Sequence, residues 1–321
     1  IFSFYPEQTK KLVQGHHHSV FPKSAKLRIP FVVPMLELLH GIDVFHSQYI
    51  KPPWSFVSEV VTIHDVLFET HKELFRDAFS TRSTHLIRHS ARRAQCVLTV
   101  SEFSRQAIIE QYGISEDRVV VTLNGVDTNR FTVLSERPTE LATRYGLDRP
   151  FILTVGRLEP RKNLKRLIQA FGNLNLDMAL VIAGVADFQH EGIVEAATKL
   201  PTGSVRFLGA IADEDLPGLY NLAEILAYPS LIEGFGMPLL ESMACGTPVV
   251  TSGRGALSEV GGDAVIYVDP EDVDSISHGL MTTLNDRTLQ EQLLVKGLAR
   301  AKQFSWEESA RHALAAYRHT L

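Results

Sequence analysis

Ten short apolar runs, separated by segments of helical periodicity, set what this 321-residue chain can become. Four lie in the first half: IDVFHS (42–47), VVTIHD (60–65), CVLTVS (96–101) and VVVTLNG (119–125). Six follow: FILTVG (151–156), ALVIAG (179–184), VRFLG (205–209), ILAYPS (225–230), PVVTS (248–252) and AVIYVD (264–269). Most are β-branched and apolar at successive positions rather than at every second one. That is the pattern of parallel strands covered on both faces by helices. Helical stretches such as KNLKRLIQAFGNL and DLPGLYNLAEI lie between them. Repeated strand–helix alternation predicts a doubly wound α/β fold.

The alternation breaks between Arg130 and Pro150, a polar stretch with Pro138 and no strand pattern. A fresh strand ending at Gly156 follows, so two α/β domains with a cleft between them are expected. Ligands of such sheets bind beyond the carboxyl ends of the strands. A net charge of −5 with 21% charged residues argues against a nucleic-acid binder, which would carry a strong basic excess. Cys96 and Cys245 stand far apart without metal-ligand spacing and fit a reducing cytoplasm. No apolar run has bilayer-spanning length, and no signal peptide opens the chain. The opening IFSFYPEQ lacks Met, which suggests that part of the natural N-terminus is missing. The run His16, His17, His18 reads as a solvated loop, with metal binding as its alternative.

The stretch EGFGMPLLE (233–241) carries the most chemistry. Pro238 suits the first turn of a helix, where its missing N–H costs nothing. A helix is therefore expected from near Pro238 to a stop near Gly246, with Glu233 in the loop before it and Glu241 in its early turns. Unpaired N–H groups and the positive end of the helix dipole lie between the two carboxylates. That is a seat for a phosphate or a polyhydroxylated anionic ligand. A glycosidase acid–base pair and two solvent-facing glutamates are the other readings of the spacing.

GRLEPRKN (156–163) follows another strand, and its Arg157 and Lys162 could neutralise a diphosphate and the charge of a departing nucleoside diphosphate. The loop is no P-loop, because GxxxxGK[ST] spacing is absent. Two surface cations beside a helix start are the plainer alternative. His64 ends a buried strand and would face the cleft, able to bond a sugar hydroxyl or move a proton. Against that stands a structural role for one of 13 histidines, and His46 is a second candidate. Ser101 reads as a helix cap with Glu102 in the first turn. The acidic strings 213–215 and 272–274 read as helix starts rather than metal sites, so no metal is expected. HLIRHSARRA (85–94) fits a solvated helix face, or an anionic membrane surface.

VTIHD, TVSEFS, NGVD (124–127), VGRLEPRKN, RFLG, PSLIEGFGMPLLESMACGTPVV and FSW (304–306) together resemble the retaining nucleotide-sugar glycosyltransferases of family 4, the group 1 glycosyltransferases. Among these the chain is most similar to bacterial mannosyltransferase-like members that build surface polysaccharides. The likeness runs from about Ile42 onward. It implies a GT-B fold: two Rossmann-like doubly wound domains facing a central cleft. The expected division is an acceptor-side domain over 1–140, a donor-binding domain over 148–303, and a C-terminal helix over 304–321 crossing back to the first. By motif, Gly156, Arg157 and Lys162 would hold the donor diphosphate. Glu233 would contact the donor sugar, with the backbone amides of Gly234, Phe235, Gly236 and Met237. Glu241 would take the ribose, and His64 would contact the transferred sugar. The family also opens with a strand and a glycine-rich loop, which no segment before Ile42 matches.

The expectation is a cytoplasmic retaining hexosyltransferase, peripheral at the inner membrane face if the basic patch binds lipid. It would move a hexose, with mannose from GDP-mannose as first choice, to a glycan or lipid-linked acceptor. It would need no cofactor beyond the sugar nucleotide. A nucleotide-sugar 2-epimerase and a non-catalytic sugar-nucleotide-binding protein are the rivals. Acceptor-dependent release of nucleoside diphosphate separates the three.

Overall fold

The computed structural model describes residues 2–3, 18–19, 31–75 and 81–321. The opening IFSFYPEQ beyond Ser3, His16 and His17 of the histidine run, and residues 20–30 lie outside these residues. Every one of the ten apolar runs carries a strand. β1 (Phe2–Ser3) and β2 (His18–Ser19) form a small parallel pair. β3 (Val44–Gln48), β4 (Ser58–Thr62), β5 (Cys96–Thr99) and β6 (Val119–Val121) pair in chain order in a four-stranded parallel sheet.

The second sheet holds β7 (Phe151–Val155), β8 (Ala179–Ala183), β9 (Val205–Gly209), β10 (Ile225–Tyr228), β11 (Val249–Ser252) and β12 (Ile266–Val268), all parallel. Their spatial order is β12-β11-β10-β7-β8-β9. The chain winds outward one way from β7 and the other way from β10. A crevice must open where the two directions part, beyond the carboxyl ends of β7 and β10.

Both faces of this sheet are covered. Leu153, Val181, Leu226 and Val249 pack in one core with Leu239, Leu240 and Met243 of the helix Met237–Ala244. Their strand neighbours Ile152, Leu180, Ile182, Ile225 and Val250 pack on the opposite face against the helices Leu164–Leu174 and Val273–Asn285. Burial on both faces explains why these strands lack period-2 alternation. Each such fully buried aliphatic side chain stabilises the fold by about 1.5–3 kcal/mol relative to exposure.

The four-stranded sheet is built likewise. Val61, Ile63, Val97 and Val119 pack with Ile87 and Ala91 of the helix Thr81–Arg93 and Ile108 and Tyr112 of the helix Glu102–Tyr112. The other face, with Val60, Cys96 and Leu98, is covered by Ala313, Ala316 and Tyr317 of the last helix, Trp306–His319. The chain thus returns from the second sheet to the first. The Ser305–Trp306 backbone passes so close to Gly125 that a Cβ there would lie 2.3 Å from Trp306 N. The polar stretch between the sheets contains the short helix Thr139–Arg144.

Candidate active site

The segments leaving β7 and β10 meet in the crevice. After β7 the chain turns through Gly156 at φ +147°, a conformation that disfavours any side chain, into a 3₁₀ turn over Pro160–Lys162. Asn163 ends the turn at φ +57°, and its amide donates to Pro229 O at 3.0 Å and Pro270 O at 2.6 Å. This clamp turns Lys162 inward. After β10 the chain runs through Pro229–Gly236 and enters the helix Met237–Ala244. Gly236 sits at φ +113°, where a Cβ would also collide with Leu257.

Glu233 is the centre. Its Oε1 accepts from Lys162 Nζ at 2.7 Å and from the Tyr228 hydroxyl at 2.9 Å. Its Oε2 accepts from Arg161, whose other NH₂ group donates to Glu159 at 2.7 Å. Lys162 Nζ also donates to the Tyr228 hydroxyl and lies 4.7 Å from the centre of that ring. The side chains of Lys162 and Glu233 are 11% and 8% exposed. Burial alone would raise the Glu233 carboxyl, but Lys162 and then Arg161 outweigh it and hold the group at about 2. Burial pushes the Lys162 ammonium down, against the pull of Glu233.

Glu241 lies within the helix Met237–Ala244. Its Oε2 accepts from the Tyr220 hydroxyl at 2.8 Å, and burial raises its pKa, with that bond opposing. The first turn of its helix, which follows Gly236, has no side-chain cap at the dipole's positive end.

Arg157 stands apart from this cluster. Its guanidinium is 69% exposed and donates to Asp187 at 3.2 Å. Gly156 packs against the Lys162 stem, where a Cβ would sit 3.0 Å from Cε. The cation that joins Lys162 on Glu233 is Arg161, and Tyr228 and Tyr220 supply hydroxyls to the two carboxylates; motif spacing marks none of these three. In a strand such as ILAYPS a tyrosine reads as core, and only the two carboxylates that follow hint at a hydroxyl partner.

The four-stranded sheet contributes from the far side. His64 lies beside Tyr49, ring centres 5.7 Å apart, and burial lowers its pKa against the opposing charge of Asp65. The next residue, Asp65, packs on Gly234 so tightly that a Cβ there would lie 2.6 Å from its Oδ2. Ser101 caps its helix by accepting from Ser104 N and also donates to Gly234 O at 2.8 Å. Ser104 donates to the same carbonyl at 3.2 Å. The Glu259 carboxylate accepts from Glu102 N at 2.8 Å and Phe103 N at 2.6 Å, at the positive end of that helix. The segment after Glu233 is therefore held by both sheets. His46 has a structural role, bonded to Thr62 at 2.7 Å and Tyr317 at 2.6 Å.

The remaining motifs resolve as follows. Asp215 takes Arg144 at 2.8 Å and Tyr145 at 2.8 Å, and Asp272 caps the helix Val273–Asn285. Among the described residues no group of three or more His, Cys, Asp or Glu side chains could hold a metal ion. Cys96 and Cys245 are buried free thiols. In the basic helix, Arg88 donates to Glu69 and Arg92 to Tyr112 O. Among the described residues no helix is long and apolar enough to cross a membrane.

The family pattern described as glycosyl transferases group 1 matches residues 142–297, and that described as glycosyltransferase family 4 matches residues 3–130. The chain is 35% identical over 286 residues to the O-antigen chain mannosyltransferase B of Escherichia coli, covering 86% of this chain and 74% of that one. The chain belongs to the group 1, family 4 glycosyltransferases. The family match starts at residue 3, so the likeness of this glycosyltransferase reaches further back than the motifs from Ile42 onward suggest. It is also 31% identical over 335 residues to the serotype-specific mannosyltransferase WbdA of E. coli, spanning 98% of this chain but 40% of that one. Among solved structures, Anabaena HepE in complex with UDP and glucose superposes with a TM-score of 0.78 at 22% identity, over 98% of this chain and 88% of HepE. A glycosyltransferase of Rickettsia africae gives 0.76 at 19% identity, over 98% and 86%. Both likenesses establish the GT-B fold of the glycosyltransferase.

Proposed function

We propose that this chain transfers a hexose, mannose first, from a nucleoside diphosphate sugar to a glycan or lipid-linked acceptor, with retention of anomeric configuration. The work would be done in the cytoplasm, in surface polysaccharide synthesis. The observation that carries the reading is the buried Lys162–Glu233–Tyr228–Arg161 cluster at the parting of β7 and β10, next to an uncapped helix N-terminus. The relatives named for mannosyl transfer support mannose, and GDP-mannose is the donor to test first.

In this reading Arg157 and Lys162 neutralise the diphosphate, with Gly156 giving it close backbone access. Glu233 and the amides of Gly234, Phe235, Gly236 and Met237 hold the sugar, and Glu241 takes the ribose. His64 contacts the transferred sugar. A double displacement needs a carboxylate nucleophile under the anomeric carbon. The first domain's motifs offer none, and a front-face route follows. The C1–O bond to the diphosphate breaks, the acceptor oxygen bonds C1 on the same face, and a departing phosphate oxygen takes the acceptor proton. Lys162 and Arg157 stabilise the charge that develops on the leaving group.

The test is incubation with GDP-mannose and a mannose-terminated oligosaccharide in the presence of a chelator. Acceptor-dependent GDP release and an α-linked product by NMR are expected. Release without acceptor, or a β-linked product, contradicts the reading.

A further inference from the structure

Lys162 has three N–H bonds and two are committed within the protein, one to Glu233 Oε1 at 2.7 Å and one to the Tyr228 hydroxyl. The hydroxyl is amphoteric, so while it accepts from Lys162 it donates to Glu233 Oε1 at 2.9 Å. Ammonium, hydroxyl and carboxylate oxygen thus form a closed three-membered ring of hydrogen bonds. Tyr228 is the last residue of β10, 2% exposed and immobilised in the core beside Phe235 and Leu226. Lys162 reaches the ring on a flexible stem from a 3₁₀ turn, and Glu233 comes from a loop. The rigid member is the tyrosine.

We propose that Tyr228 is a positioning residue, whose hydroxyl fixes the Lys162 ammonium so that its third N–H faces the donor diphosphate, and holds Glu233 in its sugar-facing orientation. The proposal rests on the donor-site reading above and goes beyond it by assigning a role to a strand residue that touches no substrate. The alternative is that Tyr228 only fills the core, and a phenylalanine would then serve as well.

The groups facing Lys162 are Glu233, Arg161, Glu159 and Tyr228, and of these only Tyr228 changes in Tyr228→Phe. The variant keeps the ring and its packing. It removes one acceptor from the ammonium, so the charged form of Lys162 is less favoured and its pKa falls. The basic limb of any process that needs charged Lys162 then moves to lower pH.

The test is GDP and UDP affinity by calorimetry from pH 6 to 10, together with kcat/KM, for wild type, Tyr228→Phe and Tyr220→Phe. Tyr220→Phe deletes a buried hydroxyl that bonds Glu241 rather than Lys162, and controls for hydroxyl loss as such. For Tyr228→Phe, diphosphate affinity at pH 8 should fall about tenfold, the size of one hydrogen bond to a charged group. Its basic limb should shift down in pH while that of Tyr220→Phe stays in place. Wild-type affinity and an unmoved limb in a folded Tyr228→Phe overturn the inference alone. A wild type that binds neither diphosphate overturns the donor-site reading and this inference with it.

Discussion

Replacing Glu233 with Gln preserves shape and removes one charge from the centre of the cluster. In the wild type the carboxyl is held at about 2 against an ordinary 4.5, with Lys162 and Arg161 outweighing burial. At about 1.4 kcal/mol per pKa unit, that difference corresponds to about 3 kcal/mol of folding stability. Because the folded-state pKa is depressed, the contribution is complete above about 4.5, and it is lost as pH falls towards 2. Glu233→Gln should therefore be about 3 kcal/mol less stable at pH 7, and the gap should narrow to about 1 kcal/mol at pH 3. Urea unfolding followed by far-UV circular dichroism is the suitable assay. Fluorescence is not, since Trp54 and Trp306 are the only tryptophans and both lie outside the second sheet. A gap below about 1 kcal/mol at pH 7, or one that stays constant from pH 7 to 3, refutes the reasoning.

Lys162→Ala should lower kcat about a hundredfold or more, as for loss of a group that stabilises transition-state charge. The fold should survive in circular dichroism, because Arg161 and Tyr228 still hold Glu233. Glu259→Ala removes two of the bonds between the sheets, those from Glu102 N and Phe103 N, and leaves the Ser101 and Ser104 bonds to Gly234 O in place. KM for the donor should increase more than kcat falls, because the segment joining the two sheets loosens; unchanged KM argues against a role for the Glu259 bonds in holding the site. Gly184→Ala places a Cβ 1.8 Å from Gly156 O, a backbone clash that must distort the loop carrying Arg157 and Lys162. A drop of about 5 °C or more in melting temperature is expected, and wild-type melting contradicts the packing described.

The fold was legible because its signal is local. Apolar runs such as FILTV and ALVIA have no polar face to expose, so they become buried parallel strands wherever helices flank them. The helix Met237–Ala244 was legible for a similar reason, with Pro238 and Gly246 marking its ends. The pairing inside the site was not. Arg157, Arg161 and Lys162 are three cations within six residues, and sequence spacing does not say which of them turn inward. That is decided by the 3₁₀ turn and by Asn163, clamped to Pro229 and Pro270 from two other segments. Tyr228 and Tyr220 are not legible as site residues, because a hydroxyl in an apolar strand or helix reveals its partner only in three dimensions. The contacts of Ser101 and Asp65 with Gly234 join residues more than 130 positions apart, beyond the reach of any local pattern.

The central claim is that the cluster around Glu233 and Lys162 receives a nucleoside diphosphate sugar. Calorimetric titration of the whole chain with GDP, UDP and ADP and their common sugar conjugates, with and without chelator, tests it most directly. The account predicts micromolar binding of one diphosphate that persists with chelator and is lost in Lys162→Ala. Binding by none of them, or binding that Lys162→Ala leaves unchanged, contradicts it.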